Sequence, residues 1–255
     1  MISIQRIEEI IKKFSSVKIA VIGDMMLDEY LIGKVNRISP EAPVPIVNIE
    51  KERFVLGGAS NVANNLTSLE GKVFVYGVIG NDANGEKFVK ELENKDVNSD
   101  GIVKDGTRPT IIKSRVLSQG QQLLRLDWEK DTDISEEIQN QLLENFEKNI
   151  ENIDAVLLSD YNKGLLTKHL SKKVIEIAKK HNKRIMVDPK PQNFKNYVGA
   201  TSMTPNRKEI LDYFGMKKFT SEEEIAEKMA QLKDDLKLDS VVLTRSEEGV
   251  SLFRT

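Results

Sequence analysis

A regular alternation of short apolar runs with longer amphipathic stretches is the feature that most constrains the fold of this chain. The apolar runs have the length of buried strands and lie at residues 17–22, 73–79, 155–158, 184–187, 201–204 and 241–244. Helical apolar periodicity marks the stretches at residues 59–69, 85–95, 135–150, 168–180, 207–214 and 221–237. Buried strands joined by crossover helices form a mostly parallel sheet covered on both faces. The sequence therefore predicts an α/β fold.

Two further segments, residues 31–54 and 107–128, lack helical periodicity and interrupt this alternation. The first contains three prolines and an alternating run, and the second contains two alternating runs joined by Ser118, Gln119 and Gly120, a hairpin signal. We expect the two segments to pair into one small sheet, a lid over the carboxyl ends of the main strands, where open α/β sheets bind ligands. The alternative is that they form two surface hairpins without a function.

The first residues of the chain carry isoleucines and a phenylalanine at helical spacing, at positions 4, 7, 10, 11 and 14, with charged residues between them. This pattern predicts an amphipathic helix packed against the body of the protein rather than a signal peptide. No apolar run in the sequence approaches the roughly 20 residues of a membrane span.

The amino-acid composition limits the kinds of molecule that this protein can bind. The 255 residues include 38 Lys and Arg against 40 Asp and Glu, a net charge of −2, and no Cys. Mixed charge near neutrality lacks the basic surface that nucleic-acid binding requires, and a chain without Cys forms neither disulfides nor thiolate metal sites. We therefore expect a cytoplasmic protein that binds neither nucleic acid nor a membrane.

Polar residues follow most of the predicted strands. They are Asp24 and Asp28 after the first strand, and residues 159–164, 188–190, 204–209 and 244–246 after later strands. Because the carboxyl ends of parallel strands lie at one edge of a sheet, these residues should gather there. Taken singly, each cluster is typical of a helix cap or a solvated loop. Together, their carboxylates, amides and cations favour an anionic substrate and a metal ion.

A pair of glycines, Gly57 and Gly58, precedes the predicted helix at residues 59–69. Glycines allow a ligand to approach the backbone closely, and a helix N-terminus offers free N–H groups. The spacing is neither that of a dinucleotide site nor that of a P-loop. Asn61 lies just inside the helix, and we interpret it as a ligand contact because a buried amide needs hydrogen-bonding partners.

These residues carry a resemblance to a known family. The N-terminal signature of the ribokinase-like (PfkB) carbohydrate kinases resembles residues 57–63, Gly-Gly-Ala-Ser-Asn-Val-Ala. This sequence also resembles one branch of the family, the D-glycero-β-D-manno-heptose 7-phosphate kinases. The similar stretches are residues 21–24, 37–45, 159–164, 204–209 and 243–249. The resemblance runs along nearly the whole chain and is most specific at residues 37–45. It implies a three-layer α/β/α sandwich that spans residues 1–255 as one kinase domain with the lid.

The resemblance also implies a role for each matching residue. A sugar phosphate under the lid would be held by Asp24, Gly57, Gly58, Asn61, Asp160 and Lys163. Asn206, Glu209 and Thr244 would contact the phosphates of ATP, with Glu209 binding Mg²⁺ through water. Charge alone suggests Arg125 and Lys190 as partners of the phosphate that the sugar already carries. Pairing through the lid is common among relatives, so a homodimer is expected.

The activity implied by the resemblance is ATP-dependent phosphorylation of the anomeric hydroxyl of heptose 7-phosphate, a step toward ADP-heptose. The family's second signature, a Gly-Ala-Gly-Asp stretch that supplies the catalytic base and the anion hole, does not occur in these 255 residues. We therefore expect a C-terminally truncated kinase domain with no catalytic residue of its own and little activity alone. The alternatives are a related kinase for another sugar phosphate or a nucleoside, and a non-catalytic sugar- or nucleotide-binding module.

Overall fold

The computed structural model describes residues 3–254, and this range forms two β-sheets and a set of surrounding helices. The main sheet contains β1 (Lys18–Gly23), β4 (Lys72–Gly80), β5 (Asn98–Asp105), β8 (Ala155–Ser159), β9 (Arg184–Asp188), β10 (Ser202–Met203), β11 (Ser240–Thr244) and β12 (Val250–Arg254). Their spatial order is β12-β11-β10-β9-β8-β1-β4-β5, and every neighbouring pair is parallel except β11 with β12. The predicted α/β fold with a mostly parallel sheet is confirmed.

Helices cover both faces of this sheet. They are α2 (Ala59–Ser68), α3 (Ala83–Glu93), α4 (Glu136–Asn149), α5 (Lys168–Lys180), α6 (Arg207–Phe214) and α7 (Glu222–Leu236). Side chains of β1 alternate between the two layers, so that Ala20 and Ile22 pack in the core beneath α4 to α7, whereas Val21 packs in the core beneath α2 and α3. The result is the three-layer sandwich that the resemblance implies.

Local periodicity predicted these six helices to within two residues of their observed ends. The strand β5 was not predicted, because its sequence Asn-Ser-Asp-Gly-Ile-Val-Lys-Asp contains no continuous apolar run. β5 is an edge strand, and within residues 3–254 it pairs only with β4. A strand with one free edge needs fewer apolar residues than a central one, so its pattern is weak.

The second sheet contains β2 (Met25–Ile38), β3 (Pro45–Gly58), β6 (Ile111–Ser118) and β7 (Gln121–Trp128), in the order β3-β2-β6-β7. We call these four strands the lid sheet. The two interrupting segments pair into one sheet as expected, through the parallel strands β2 and β6. Gln119 and Gly120, both with positive φ, form the two-residue turn between β6 and β7. Asp24 alone separates β1 from β2 and so connects the two sheets.

The N-terminal helix α1 (Ile4–Ile11) forms, but the expectation that it packs against the body is wrong. None of its residues is buried, and Ile4 is 77% exposed. Apolar periodicity reports that one face of a helix is apolar, and it does not report whether a partner surface lies beside that face. Neither α1 nor any other helix between residues 3 and 254 is long and apolar enough to cross a membrane.

Candidate functional site

The carboxyl ends of five neighbouring parallel strands, β11, β10, β9, β8 and β1, lie along one edge of the main sheet. A polar residue ends or follows each strand, in the same order Thr244, Asn206, Asp188, Asp160 and Asp24. Backbone hydrogen bonds join neighbours along this edge, since the N–H of Asp160 donates to the carbonyl of Asp188 at 3.0 Å. The structure therefore brings these residues to one edge, as the order of motifs and strands predicted.

Asp24 is 3% exposed and lies between the two sheets. One carboxylate oxygen accepts the backbone N–H groups of Tyr161 at 2.9 Å and Lys163 at 3.2 Å, and the other accepts that of Leu165 at 3.2 Å. Burial raises the pKa of Asp24 to about 6, and the nearby charge of Asp160 adds to the rise. Because the carboxylate is enclosed and engaged, the geometry favours a role in holding this loop over the direct sugar contact that the resemblance implied.

Asp160 is also buried and saturated with hydrogen bonds. One of its oxygens accepts the backbone N–H of Asn162 at 2.7 Å, and the other accepts from the Asn193 amide at 2.9 Å and the Tyr197 hydroxyl at 2.7 Å. Burial, followed by the charge of Asp160, raises the pKa of Tyr197. Here too the structure favours a role in fixing loops over the expected contact with a sugar.

The two glycines lie where a side chain does not fit. Gly58 has a φ of +53°, and a Cβ on it would lie 2.6 Å from the carbonyl oxygen of Asp24. A Cβ on Gly57 would lie 2.7 Å from a carboxylate oxygen of Asp28. The start of α2 also stays close to Asp24, whose carbonyl accepts the N–H of Ala59 at 3.1 Å. The glycines thus let the backbone approach both acidic residues.

Asn61 is exposed in the first turn of α2, so the assumption that its amide is buried is wrong. An exposed amide needs no protein partner. Gly58 caps α2 without a side-chain hydrogen bond, which leaves the first N–H groups of the helix without a side-chain cap. Because Asn61 is exposed at a helix N-terminus, a ligand can still reach its amide, and the ligand contact remains a prediction.

Asp28 is an acidic residue to which the sequence interpretation gave no role. β2 and β6 pair so that Asp28 lies opposite Lys113 and Tyr30 lies opposite Arg115, all on one face of the lid sheet. The Arg115 guanidinium donates to the Asp28 carboxylate at 2.5 Å, and both side chains are partly exposed. The sequence offered one signal for this ion pair: Lys113 and Arg115 are two residues apart in an alternating run, which places both on one face of a strand. That Asp28 lies on the same face could be inferred only from the pairing of β2 with β6.

Lys163 reaches from the body to the lid sheet. Its ammonium donates to Glu129, which follows β7, at 2.5 Å, and the second oxygen of Glu129 accepts from Lys113 at 3.0 Å. Although burial opposes the change, hydrogen bonds from the two lysines hold the pKa of Glu129 below its usual range. The structure therefore places Lys163, a predicted substrate residue, at the junction of the lid sheet and the body.

Asn206 and Glu209 form a capping box at the start of α6. The Asn206 side chain accepts the N–H of Glu209 at 2.9 Å, and the Glu209 carboxylate accepts the N–H of Asn206 at 2.9 Å. The other oxygen of Glu209 lies 3.2 Å from the Lys190 ammonium. A cleft of about 840 Å³ opens at this point, lined by these residues and by further cations, Lys195 and Lys208. Asp212 also lines the cleft, so its three lysines and two carboxylates leave a net positive charge, the sign that favours nucleotide phosphates.

Carboxylates beside the capping box are the type of ligand that Mg²⁺ prefers. Partial desolvation, and then the charge of Glu209, raise the pKa of Asp188. In the part of the chain that the structure describes, no three Asp, Glu, His or Cys side chains are grouped closely enough to hold a metal ion. The carboxylates of Asp188 and Glu209 are oxygen ligands of the kind that would suit an Mg²⁺ ion that also binds water and nucleotide phosphates.

The two cations that charge alone suggested for the sugar's phosphate lie on different elements. Lys190 contacts Glu209 of the capping box. Arg125 lies on β7, half-exposed, and donates to Asp127 at 2.8 Å. Neither placement supports the expected contact. Lys113 and Arg115 are better enclosed, and nothing in the sequence distinguished them from surface cations.

The chain is similar in sequence to known proteins. Residues 16–255 match the model of the pfkB family carbohydrate kinases. The bifunctional protein HldE of Helicobacter pylori (strain HPAG1) is 42% identical over 236 residues, and that of Sulfurimonas denitrificans is 44% identical over 245 residues. The alignments cover 92% and 96% of this chain and 51% of each relative, so the chain spans about half the length of the curated relatives it matches.

Solved structures share the fold at low sequence identity. Phosphofructokinase-2 from Escherichia coli, in complex with substrates and products, has a TM-score of 0.70 at 18% identity over 94% of this chain and 76% of that chain. Arabidopsis thaliana ribokinase, complexed with ribose and ATP, has a TM-score of 0.67 at 17% identity over 94% of this chain and 75% of that chain. Since the family model matches nearly the whole chain, this chain belongs to the pfkB family of carbohydrate kinases.

Proposed function

We propose that this chain is the sugar- and nucleotide-binding part of a kinase that transfers a phosphate from ATP, with Mg²⁺, to the anomeric hydroxyl of D-glycero-β-D-manno-heptose 7-phosphate. These 255 residues contain no Gly-Ala-Gly-Asp stretch and should therefore show little activity alone. The strongest support is that the polar residues beside the lid sheet and the lysine-lined cleft beside the capping box differ in chemistry in the way that a sugar and a nucleotide require. Asp28, Arg115 and Asn61 near the lid sheet offer hydrogen-bonding groups of the kind that sugar hydroxyls use. The capping box and the lysine-lined cleft offer cations for the phosphates of a nucleotide. Identities of 42% and 44% to HldE proteins favour a heptose over other sugars.

In this proposal the residues of the chain bind and orient the reactants. Glu209 would hold Mg²⁺ through water, and the ion would neutralise charge on the transferred phosphate. Thr244, exposed at the end of β11, would donate to a nucleotide phosphate. Asp24 and Asp160 would keep the loop that carries Lys163 in place, so that the sugar lies between the lid sheet and the body. Positioning of this kind accounts for much of the catalysis of phosphoryl transfer.

We also propose that residues 1–255 belong to one kinase domain, that it works in the cytoplasm where ATP and sugar phosphates are found, and that two copies pair through their lid sheets. The support for pairing is apolar surface on the lid sheet. Leu124 and Leu126 of β7 are exposed on the face opposite to that of Asp28 and Arg115. Exposed apolar patches of this kind mark interaction surfaces.

Binding measurements test the proposed substrate without requiring turnover. With a non-hydrolysable ATP analogue and Mg²⁺ present, calorimetric titration should show that heptose 7-phosphate binds about tenfold or more tightly than fructose 6-phosphate or a nucleoside. Equal affinities would favour the related kinase for another substrate. Binding of the nucleotide without any sugar or nucleoside would favour the non-catalytic module.

A further inference from the structure

An arginine directly follows each of the two residues that end neighbouring strands at the proposed nucleotide site. Arg207 follows Asn206 and is the first residue of α6. Arg245 follows Thr244, the last residue of β11. The two strand ends are joined, since Asn206 and Thr244 form a parallel bridge and the N–H of Thr244 donates to the carbonyl of Pro205 at 2.9 Å. Both arginines are therefore attached to the part of the sheet edge where nucleotide phosphates are proposed to bind.

Two carboxylates connect these arginines to each other and to the next helix. Glu248 accepts from both terminal nitrogens of Arg207, at 2.8 and 2.7 Å, and from one of Arg245, at 2.5 Å. Arg245 donates from both terminal nitrogens to Glu222, the first residue of α7, at 2.7 and 2.6 Å. We call these four side chains the arginine network. It links the start of α6, the start of α7 and the loop after β11.

The arginine network contains two positive and two negative charges, so it adds no net charge that would attract a phosphate. Hydrogen bonds from Arg245 and then from Arg207 hold the pKa of Glu248 below its usual range. Hydrogen bonds to the two carboxylates raise the pKa of Arg245. A guanidinium that binds a carboxylate through two nitrogens fixes the relative position of the groups it joins. The network therefore contributes geometry rather than charge.

The arginine network lies beside the lysine-lined cleft and not in it. Asn206 lines the cleft, whereas Arg207 and Glu222 line a separate pocket. Arg245 is 13% exposed, and its terminal nitrogens donate to two carboxylates and, at 3.1 Å, to the Ser251 hydroxyl. Little of its hydrogen-bonding capacity is left for a ligand. The arginines are thus placed to act on a nucleotide through the residues beside them.

Stability alone is a weak reason for such a network. The side chains of Glu222 and Glu248 are 64% and 45% exposed. Ion pairs that solvent reaches contribute little to stability, because water screens the attraction and ordering long side chains costs entropy. The bidentate geometry and the position next to Asn206 and Thr244 favour a role in the site.

We propose that the arginine network holds Asn206 and Thr244 at the separation that nucleotide phosphates require. Arg207 and Arg245 are then positioning residues, which act through their neighbours in the chain. Because phosphoryl transfer depends on where the phosphates are held, a small displacement of either strand end weakens their binding. The inference rests on the proposed function, which puts a nucleotide at this edge of the sheet.

Arg245→Lys tests the geometry separately from the charge. Lysine keeps the positive charge but lacks the planar fork that reaches both carboxylates. In calorimetric titrations with Mg²⁺, the variant should bind a non-hydrolysable ATP analogue about fivefold or more weakly than the wild-type protein, with less than a twofold change for adenosine. Adenosine lacks the phosphates and so reports on the rest of the site. Wild-type affinity for the ATP analogue in the lysine variant would overturn the proposal.

Arg108→Lys is the matched control for lost stability. Arg108 is 7% exposed and donates to Asp105 at 3.1 Å and to the carbonyl of Thr132 at 2.8 Å, away from the capping box. This variant should melt at a lower temperature than the wild-type protein and bind the ATP analogue with unchanged affinity. Loss of nucleotide affinity in both variants, in proportion to lost thermal stability, would make the arginine network purely structural and would refute the inference.

A double-mutant cycle tests the route by which Arg245 acts. In a protein that already carries Asn206→Ala and Thr244→Val, Arg245→Lys should change the affinity for the ATP analogue by less than about twofold, because the residues it positions no longer contact the phosphates. The same loss in both backgrounds would mean that Arg245 acts on the nucleotide by another route, which contradicts the proposal.

The outcomes distinguish this inference from the proposed function. A wild-type protein that does not bind the ATP analogue would refute the proposed nucleotide site, and the inference with it. If the wild-type protein binds the analogue and Arg245→Lys binds it equally well, the arginine network has no positioning role and the proposed function stands.

Discussion

The backbone N–H of Lys163 donates to the buried carboxylate of Asp24 at 3.2 Å, across 139 positions of the sequence. The ammonium of the same lysine donates to Glu129 beside the lid sheet at 2.5 Å. Lys163 is therefore held at its backbone by one carboxylate and at its side chain by another. This relation gives a structural reason for a buried acidic residue at the junction of the two sheets.

Asp24→Asn should remove a pH-dependent part of the stability. Burial raises the pKa of Asp24 from 3.8 to about 6 in the folded protein. Between about pH 4 and pH 6 the folded state therefore binds more protons than the unfolded state, and the free energy of unfolding falls as the pH rises. The wild-type protein should lose about 3 kcal/mol across this window from Asp24, and the variant should not.

Urea unfolding of both proteins at pH 4 and pH 7 measures this difference. Asp154→Asn is a matched control, because the Asp154 carboxylate also accepts a backbone N–H, that of Lys18 at 2.8 Å, but at an exposed position. The control should keep the pH dependence of the wild-type protein. The same pH dependence in Asp24→Asn would contradict the prediction.

Gly58→Ala should destabilise the protein more than the same change at another glycine with positive φ. At Gly58 the added Cβ meets the carbonyl oxygen of Asp24 at 2.6 Å in addition to the backbone strain at a φ of +53°. Gly120 has a φ of +79° and no atom within 4 Å of its added Cβ. We expect a loss of about 3 kcal/mol or more at Gly58 and about 1–2 kcal/mol at Gly120, measured by urea unfolding. Equal losses would show that the close contact relaxes.

Asn206→Ala should reduce both helix stability and nucleotide binding. Loss of the cap of α6 costs about 1 kcal/mol, and loss of the amide also frees the Glu209 carboxylate that the capping box orients. Ser135→Ala is the control, because Ser135 caps α4 by accepting the N–H of Ile138 at 3.3 Å. Thermal melting should show similar destabilisation in both variants, and titration with an ATP analogue should show weaker binding only for Asn206→Ala. Equal nucleotide affinities would limit Asn206 to helix capping.

Leu124→Asp should convert a lid-sheet dimer to a monomer. Leu124 is 50% exposed on β7, and a charge there opposes burial of the apolar face against a second copy. Leu69→Asp changes a leucine that is 53% exposed at the end of α2, outside the lid sheet, and should leave the association unchanged. Sedimentation velocity at several concentrations measures the result. A wild-type protein that remains monomeric throughout would refute pairing through the lid sheet.

Most of the fold follows from short-range patterns. The helix at residues 168–180 has its predicted bounds, because an apolar face with a period of 3.6 residues is a property of neighbouring residues. The lid sheet was also predictable, since alternation over residues 31–54 and 107–128 differs from the pattern of the surrounding chain. α1 is the exception. Its pattern is as clear as that of α5, but packing requires a surface from elsewhere in the molecule.

The candidate site was predictable as a region and not as a set of contacts. Asp24 and Asp28 are four residues apart and look equivalent in the sequence, yet one is enclosed by backbone N–H groups and the other faces Arg115. Asn61 was expected to be buried and is exposed. Glu129 had no signal of any kind, because its importance comes from Lys113 and Lys163, which lie on separate elements.

The residues alone were sufficient for the α/β class, the helix positions, the paired lid segments and the family, since each of these depends on local periodicity or on short stretches of motif. Three-dimensional packing alone settled which carboxylates are enclosed, which cations share a cluster and which apolar face stays uncovered. The physical reason is that burial, pKa and ion pairing depend on groups close in space. For Asp24 and Lys163 those groups are 139 positions apart.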